Sequence, residues 1–401
     1  MTAPRPFVAT EILIPPASAF PAWPVVACDQ FTAQPEYWQE ADRIAGDKPS
    51  ALRIMLPEYE LEAPYVQDKI QKILKTMEDY VNNGLFRSYP NAMIYVARTL
   101  STGKVRHGIV GAVDLEYYDY HKGSKSAVRA TEGTVLSRIP PRIAVREKAA
   151  LEMPHILLLV DDAKVPVLEI AKAEAGQVLY ESELMLGGGS IKGQLLSPAA
   201  AEKIADAIGS LGGEGDIFVA VGDGNHSLAT AKACYENLKA KIGPAALTHP
   251  ARYALAELCS LRDPSLAFEP IHRVLFDVDI KALKAFLAKK GGSDYCITMV
   301  TEQGETPIYL AADGAMLAVG ALQNALDAFL EENKGQIDYV HGDDVARTLG
   351  RKAGCAAFLL PTVEIDALLP SVQKDGVLPR KTFSMGHAED KRYYIECRKI
   401  K

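Results

Sequence analysis

The sequence predicts a mixed α+β protein with more than one domain, and three observations lead to this fold class. The chain has 401 residues, of which 48% are hydrophobic and 24% are charged, so it is long enough to form two or three sizeable cores. Short strand-like runs alternate with helix-like runs along most of the sequence, without an internal repeat. The strands are too interspersed to form two long series of alternating parallel strands and helices, so we expect mixed sheets.

The helices and strands are predicted from hydrophobic periodicity and from the residues that end each element. Residues 64–83 have a helical apolar period, and residues 93–99 and 106–114 alternate as two strands of a hairpin. Ser197 followed by Pro198 begins a helix, since serine caps a helix and proline suits its first position. The other predicted strands are 156–160, 178–183, 271–278, 295–300, 307–312 and 355–360, and the other predicted helices are 250–260, 279–290, 320–333 and 364–374.

Two polar stretches, at 121–126 and 261–270, mark the predicted domain boundaries. We expect an N-terminal α+β domain at residues 1–125, a core domain at 126–270 and a C-terminal α+β domain at 271–401.

Composition and charge argue against several functional classes. The net charge of −7 gives no pull toward nucleic acid or an anionic membrane, and no apolar stretch reaches the roughly 18 residues that span a bilayer. The six cysteines form no CxxC pair, which favours a reducing cytoplasm over a disulfide framework. The N-terminus has no continuous apolar core, so we expect no signal peptide. We expect a cytoplasmic protein that acts on small molecules, without a nucleic-acid or membrane partner, and we keep a homodimer as an open alternative.

The most informative stretch is a strand, turn and helix at residues 216–240. A short apolar run at 217–221 ends in Gly222-Asp223-Gly224-Asn225-His226, and a helical run follows at 228–240. The glycines let the backbone bend sharply, and the amide groups of the helix would face an anion bound there. Asp223 can hold a divalent cation, and His226 can donate to a phosphate. A sharp turn in which Asn225 simply caps the helix explains the pattern equally well.

A second polar cluster precedes and opens a predicted helix. We expect this helix to begin at Pro141, which places Arg142 and Arg146 one turn apart on one face, where they can hold a carboxylate or phosphate. Glu132, beside a glycine, is a candidate general base. Pairing of the arginines with surface acids such as Glu152 is an alternative of equal weight.

Three further segments are ambiguous. The glycine-rich residues 187–193 lack the spacing of a phosphate loop, so we expect a mobile lid or a linker before a helix. Arg380 and Lys381 precede the hydroxyl group of Thr382, which suits either a phosphate site or an exposed basic loop. His272 enters a predicted strand and is equally well explained as a structural histidine.

The chemistry that these residues favour is phosphoryl transfer. The sequence has no GxSxG, HExxH, GxGxxG or catalytic cysteine–histidine signature. Carboxylates, arginines, a lysine and a histidine among glycine turns suit a reaction in which positioning and charge stabilisation dominate. Acyl transfer and hydride transfer fit this set of residues poorly.

The chain resembles a bacterial and archaeal family catalogued as domain of unknown function 1015. The matching segments cover nearly the full chain and include ACDQ at 27–30, RATEGT at 129–134, IPPR at 139–142, GDGNH at 222–226, PIHR at 270–273 and PRKT at 379–382. Much of that family has an aspartate–glycine–histidine–histidine–arginine turn. Here Asn225 and Ser227 replace a histidine and the arginine, so a cation needed at this turn has to come from elsewhere in the chain or from bound metal.

The same turn resembles the signature of free-serine kinases that have a ParB/sulfiredoxin-like fold. This resemblance implies such a fold for the core domain and a kinase that transfers phosphate from ATP or ADP to free L-serine with Mg²⁺. It implies Glu132 as the base on the serine hydroxyl, Asp223 and His226 as further catalytic residues, and Asp223 as the metal ligand. The expected nucleotide and phosphate ligands are Gly222, Gly224, Asn225, Ser227, Lys381 and Thr382. The residues expected to bind the substrate are Arg129, Thr131, Arg138, Arg142 and His272.

Two other functional classes remain open. A nucleotide-binding regulatory protein would use the same turn as a sensor, with slow or no hydrolysis, and would bind nucleotide without forming phosphoserine. A scaffold protein would show no nucleotide-induced rise in melting temperature, because a ligand that binds only the native state stabilises that state.

Overall fold

A computed structural model describes residues 4–134, 139–163 and 165–401 of the chain. The contacts within it divide the chain into two compact units. The first unit comprises residues 1–130, 134–266 and 387–401, and the second comprises residues 131–133 and 267–386.

The described residues form strands and helices along the whole chain. The strands are β1 (Phe7–Val8), β2 (Thr10–Ile14), β3 (Val25–Val26), β4 (Arg87–Ala92), β5 (Ile94–Thr99), β6 (Val105–Asp114), β7 (Tyr118–Asp119), β8 (Val128–Ala130), β9 (Leu151–Glu152), β10 (Leu157–Val160), β11 (Ala175–Glu183), β12 (Ser190–Leu196), β13 (Val219–Asp223), β14 (Tyr253–Ser260), β15 (Phe268–Phe276), β16 (Gly291–Thr301), β17 (Gly304–Leu310), β18 (Gln336–His341), β19 (Ala356–Leu359), β20 (Phe383–Met385), β21 (Tyr393–Tyr394) and β22 (Arg398–Lys399). The helices are α1 (Pro35–Ala45), α2 (Val66–Asn82), α3 (Ile139–Arg146), α4 (Val167–Ala173), α5 (Pro198–Gly209), α6 (Asn225–Ile242), α7 (Ile280–Lys289), α8 (Ala318–Glu332), α9 (Asp343–Gly350) and α10 (Ile365–Asp375).

The first unit is built on a mixed sheet of ten strands. Their order is β11-β12-β5-β6-β14-β10-β13-β8-β7, and β1 pairs with β6. β10 is parallel to β14 and antiparallel to β13, while β13 is parallel to β8. Every residue of β10 is buried, which explains its continuous apolar run, since strands covered on both faces need no polar alternation.

Two clusters of buried apolar residues stabilise the first unit. One includes Ile70 and Met77, which lie on the same face of α2. The other includes Leu228 and Tyr235 of α6 together with Val221 of β13. Residues seven positions apart share a helix face, so this spacing packs α6 onto the same core as β13 and orients the turn between them.

The second unit contains an antiparallel sheet of six strands. Their order is β17-β16-β19-β15-β18, and β20 also pairs with β15. Leu275 of β15, Phe358 of β19 and Phe329 of α8 belong to its main core. Strand β20 of this sheet begins directly after the Pro379–Thr382 segment expected to bind phosphate, and Arg273 of β15 donates hydrogen bonds to the Arg380 and Lys381 carbonyl oxygens.

The structure confirms the predicted fold class, because helices occur in both units and the first unit has a large mixed sheet, and most predicted elements are present. Two local predictions are wrong. Within residues 250–260, a single 3-10 turn (Pro250–Arg252) leads into strand β14 (Tyr253–Ser260) in place of the expected helix, because that apolar run is buried on both faces of the sheet and has no clear period. The glycines at 187–189 lie in the loop between the paired strands β11 and β12, so a strand and not a helix follows them.

The finer predictions of domain limits and fold family are not tested by these features. A compact unit shows where contacts concentrate, and it does not show which segment folds independently. The three-domain division and the ParB/sulfiredoxin-like label therefore stay predictions. Among the described helices, none combines the length and the apolar character that crossing a lipid bilayer requires.

Candidate functional site: the turn between β13 and α6

The turn after β13 has the local structure that its glycines predict. Gly224 has a φ of +79°, in the left-handed region, and is the residue before the first turn of α6. A side chain is disfavoured here also because an added Cβ would lie 2.9 Å from Ile156 Cα. Asn225, His226 and Ser227 are the first three residues of the 18-residue helix, and Gly222 lies in β13. In any α-helix the first amide groups have no acceptor within the helix, which favours an anion at this end.

Asp223 is paired with a lysine from the C-terminal segment. Its Oδ2 lies 3.2 Å from Lys391 Nζ, and its Oδ1 accepts a hydrogen bond of 2.9 Å from the Gly224 amide. Burial alone would raise the pKa of Asp223, but the Lys391 ammonium group and the Gly224 amide hold that pKa below its ordinary value. The side chains of Lys391 and Asp223 remain 14% and 26% exposed, so a ligand can reach both charges.

A chain of hydrogen bonds lies beside the turn. Ser227 Oγ is 3.1 Å from His155 Nε2. His155 Nδ1 is 2.8 Å from the hydroxyl of Tyr394, which also accepts a 3.2 Å hydrogen bond from the Cys28 amide. With the single tyrosine proton donated to Nδ1, the Nε2–H group of His155 donates to Ser227. Ser227 then keeps its own hydroxyl proton, which can be donated to a ligand.

A cavity of about 180 Å³ adjoins this chain of hydrogen bonds. Its wall includes the four residues of the chain and Thr230, which lies one turn after Ser227 on α6. Most of the remaining wall is apolar and includes Met55, Met77 and Met153. The turn therefore has two kinds of surroundings, namely a charged pair at Asp223 and a largely apolar cavity beside Ser227.

Arg142 and Arg146 share α3 and line this cavity, and each pairs with a glutamate. Arg142 Nη2 lies 3.0 Å from Glu58 Oε1, and Arg146 Nη2 lies 2.5 Å from Glu152 Oε2. The pair between Arg146 and Glu152 is the alternative that the sequence left open. Substrate binding by Arg142 stays a prediction, and a substrate carboxylate would have to compete with Glu58.

The other residues of that cluster have different surroundings. Arg129 is buried in β8, and its guanidinium group donates to the carbonyl oxygens of Ser126, at 2.8 Å, and of Gly215. Thr131 belongs to the second unit, is fully buried, and accepts a backbone hydrogen bond through its carbonyl oxygen. Arg138 lies outside the described residues. Substrate binding by these three residues stays a prediction.

In the second unit, the predicted base lies beside the predicted phosphate-binding segment. Glu132 Oε1 accepts a 3.3 Å hydrogen bond from the Thr382 amide. The Thr382 hydroxyl is buried and donates to the Pro379 carbonyl oxygen at 2.6 Å. Lys381 is exposed, with its ammonium group 5.6 Å from the centre of the Tyr339 ring. The structure thus brings Glu132, Lys381 and Thr382 together, and their catalytic and phosphate-binding roles stay predictions.

His272 has the surroundings of a structural histidine. The ring is 1% exposed, with Nε2 at 3.0 Å from Asp343 Oδ1 and Nδ1 accepting a 3.1 Å hydrogen bond from the Leu360 amide. Burial lowers the pKa of His272, and Asp343 offsets part of that effect. Both ring nitrogens are engaged within the second unit, so this geometry lends no support to the prediction that His272 binds the substrate.

The turn offers a metal ion one carboxylate. Within the residues that the structure describes, no group of three or more histidine, cysteine, aspartate or glutamate side chains could hold a metal. Mg²⁺ commonly uses one or two carboxylates and completes its coordination with substrate phosphates and water. Asp223 therefore fits a magnesium site that a bound nucleotide completes, in competition with Lys391.

Sequence reasoning missed three residues of this site, namely His155, Lys391 and Tyr394. The replacement of the family arginine by Ser227 predicts that a cation needed at the turn comes from elsewhere in the chain or from bound metal, and the structure places the Lys391 ammonium group 3.2 Å from Asp223. Its position in the sequence carries no signal, because Lys391 stands in an ordinary run of charged residues far from the turn.

Known proteins resemble the chain to different degrees. No curated protein matches it. The similar solved structures include mutants of a free serine kinase in complex with AMP (11% identity, TM-score 0.41) and with ADP (10% identity, TM-score 0.40), each alignment covering 73% of this chain and 92% of that chain. Another is a conserved hypothetical protein from Pyrococcus furiosus (12% identity, TM-score 0.36, 74% of this chain and 96% of that chain). These structural likenesses are too low to carry an argument. A family profile matches residues 5–356, and the chain therefore belongs to the family described as protein of unknown function (DUF1015).

Proposed function

We propose that the protein is a phosphotransferase that uses ATP or ADP with Mg²⁺ to phosphorylate the hydroxyl group of free L-serine. The observation that supports it best is the Asp223–Ser227 turn at the N-terminus of α6, with Lys391 Nζ 3.2 Å from Asp223. A helix N-terminus and an ammonium group both attract phosphate. The identity of the acceptor, L-serine, comes from the resemblance of this turn to that of free-serine kinases.

Each group of the turn has a distinct task in this proposal. Lys391 has three N–H donors, so it can hold Asp223 and a phosphate oxygen at the same time. His226 and the Ser227 hydroxyl donate to phosphate oxygens, while Asp223 would hold Mg²⁺. When bound, the ion supplies positive charge that neutralises the phosphates during transfer.

The base in the proposal is Glu132, which accepts the proton of the serine hydroxyl. The serine oxygen forms a bond to the terminal phosphorus atom of the donor while the bond from that phosphorus to the bridging oxygen breaks, and ADP leaves from ATP or AMP leaves from ADP. Glu132, Lys381 and Thr382 belong to the second unit. Their roles as base and phosphate ligands rest on the resemblance, and the hydrogen bond from the Thr382 amide to Glu132 supports a shared role.

A direct assay tests the proposal. The full chain is incubated with L-serine, Mg²⁺ and either ATP or ADP, and phosphorus NMR follows the products. We expect a phosphoserine signal that grows as the donor loses its terminal phosphate. A parallel screen of other small hydroxylated metabolites identifies a different acceptor, and the absence of any phosphorylated product would contradict the kinase assignment.

A second candidate, a nucleotide-binding regulatory protein, is favoured by the Asp223–Lys391 ion pair. In that arrangement the ammonium group occupies the carboxylate that a catalytic magnesium ion needs. Such a protein binds ADP equally well with Mg²⁺ and with EDTA and forms no phosphoserine. The kinase binds ADP more tightly when Mg²⁺ is present, so calorimetric titration under both conditions separates the two candidates.

A further inference from the structure

The cavity beside the Asp223–Ser227 turn begins where the proposed phosphate site ends. Ser227 belongs to both, and Thr230 continues the cavity wall one turn further along α6. A group attached to a phosphate at the helix N-terminus can therefore extend along the helix into this space. The volume of about 180 Å³ has room for roughly a dozen water-sized groups, which is comparable with a purine base.

The charged residues on the cavity wall cancel one another. They form two arginine–glutamate pairs, Arg142 with Glu58 at 3.0 Å and Arg146 with Glu152 at 2.5 Å. Glu152 also accepts a 2.7 Å hydrogen bond from Arg398, which lies outside the cavity wall. A zwitterion such as serine needs charges that are open to its ammonium and carboxylate groups, whereas a neutral ring does not. The balance of charge therefore favours an uncharged occupant.

The apolar part of the wall suits the faces of a planar ring. Three methionines line it, and the methionine thioether is flexible and makes favourable contacts with aromatic rings. These residues are Met55, Met77 and Met153.

The polar part of the wall suits the edge of such a ring. Burial raises the pKa of Cys28 to about 12 and raises the pKa of Tyr394 well above its ordinary value, so both groups are neutral at physiological pH. Together with Ser227 and Thr230 they supply hydrogen-bonding groups without charge. Apolar faces and a few neutral polar groups are typical of a pocket for a small heterocycle.

We infer that this cavity binds the base of the nucleotide whose phosphates the Asp223–Ser227 turn holds. The inference rests on the proposed function, because only a phosphate at the turn places a base here. It adds a nucleoside subsite whose wall comes from α2, α3, α6 and Cys28, beside the phosphate site. The affinity for a nucleoside and the affinity for phosphates then depend on different residues.

A substitution that fills the cavity tests the inference in the full chain. Val145 lines the cavity from α3, whereas Ile143 is on the same helix outside the cavity wall. We expect Val145→Phe to weaken ADP binding by about tenfold or more, because the larger side chain excludes the base from the cavity. Pyrophosphate binding should be unchanged. The control, Ile143→Phe, should change neither. Unchanged ADP affinity in a folded Val145→Phe protein would overturn the inference.

A measurement on the unsubstituted chain keeps the test independent of folding. With methyl-labelled methionine, ADP should shift the signals of the three cavity methionines through ring currents, whereas pyrophosphate should not. The buried Met93 and Met185, outside the cavity wall, serve as internal controls.

The outcomes distinguish this inference from the proposed function. Pyrophosphate binding without ADP-induced shifts overturns the base subsite and leaves the phosphate site intact. Shifts caused by L-serine and not by ADP assign the cavity to the hydroxyl substrate, which also overturns the inference. Failure of both pyrophosphate and ADP to bind removes the proposed function itself.

Discussion

The two segments expected to bind phosphate contain the same backbone feature and differ in what surrounds it. In the first unit, Gly224 has a φ of +79° and precedes α6; in the second unit, Lys381 has a φ of +55° and precedes β20. The first turn adjoins a cavity and a partly exposed ion pair. The second adjoins Arg273, which is fully buried and donates to the carbonyl oxygens of Arg380 and Lys381 at 3.0 and 2.8 Å.

The difference indicates that the Gly224 turn is free of structural demands and suited to ligand binding, whereas the Lys381 segment needs support from its neighbours. Glycine adopts the left-handed region without cost, so the first turn needs no compensation and its polar groups remain accessible. Lysine in that region is strained, and its surroundings must hold it there. The two hydrogen bonds from the Arg273 guanidinium group to the Arg380 and Lys381 carbonyl oxygens supply that support. In the proposed function, the chemistry of this segment is assigned to Glu132 and to its exposed cations. We therefore expect nucleotide affinity to depend on the first segment and turnover to depend on Glu132.

The largest expected effect is that of Glu132→Gln on turnover. The amide oxygen of glutamine still accepts the hydrogen bond from Thr382, so the fold should be preserved, but an amide cannot take up the serine proton. Loss of a general base typically lowers a rate by about 10²–10⁴-fold. Phosphoserine formation measured at saturating nucleotide checks this value, and ADP affinity should not change.

Glu269→Gln is the matched control for that substitution. Glu269 is exposed on β15 of the same unit, so its replacement should leave turnover and stability unchanged. If Glu132→Gln retains the wild-type rate, Glu132 is not the base, and the second segment then has no demonstrated part in the chemistry.

The next largest effect should be that of Lys391→Met on phosphate affinity. The substitution removes the ammonium group and leaves the Asp223 carboxylate uncompensated beside the incoming phosphate. Hydrogen bonds to charged groups contribute roughly 1.5–3 kcal/mol, so pyrophosphate and ADP should both bind about ten- to a hundredfold more weakly. Lys399→Met, in the same C-terminal segment with a side chain 43% exposed, should bind both normally. Equal affinities in the two variants would move the phosphate site away from the turn.

Helices and strands that bury only one face could be predicted from the sequence, because burial of one face gives the sequence a hydrophobic period. The apolar period of α2 and the alternation of β5 and β6 gave bounds within a few residues of those observed. β14 could not be predicted in this way. It pairs with β6 on one side and β10 on the other, and burial of both its faces removes the period that identifies a strand.

The site was predictable only as far as local backbone chemistry determines it. Gly224 specifies the turn before α6 whatever the rest of the chain does. His155 lies beside Ser227 because β10 pairs with β13 in a register that places Leu157 opposite Asp223. Lys391 lies near the turn because it is two residues before β21, which pairs with β3. Strand pairings of this kind depend on the whole fold, and no spacing along the sequence encodes them.

The smallest expected effect is a pH dependence of the second unit's stability that comes from His272. Burial lowers the pKa of His272 in the folded state below the unfolded value of 6.5, although Asp343 opposes the shift. As the pH falls below 6.5, the unfolded chain binds a proton that the folded ring does not, so the stabilisation present at higher pH is lost until the folded pKa is reached.

In His272→Asn, the side-chain oxygen can still accept from the Leu360 amide and does not titrate. Hydrogen exchange of peptides from residues 267–386 at about pH 7.5 and about pH 5.5 should therefore show a steeper loss of protection for the wild type than for His272→Asn. Equal slopes in the wild type and in His272→Asn would remove His272 as the titrating group.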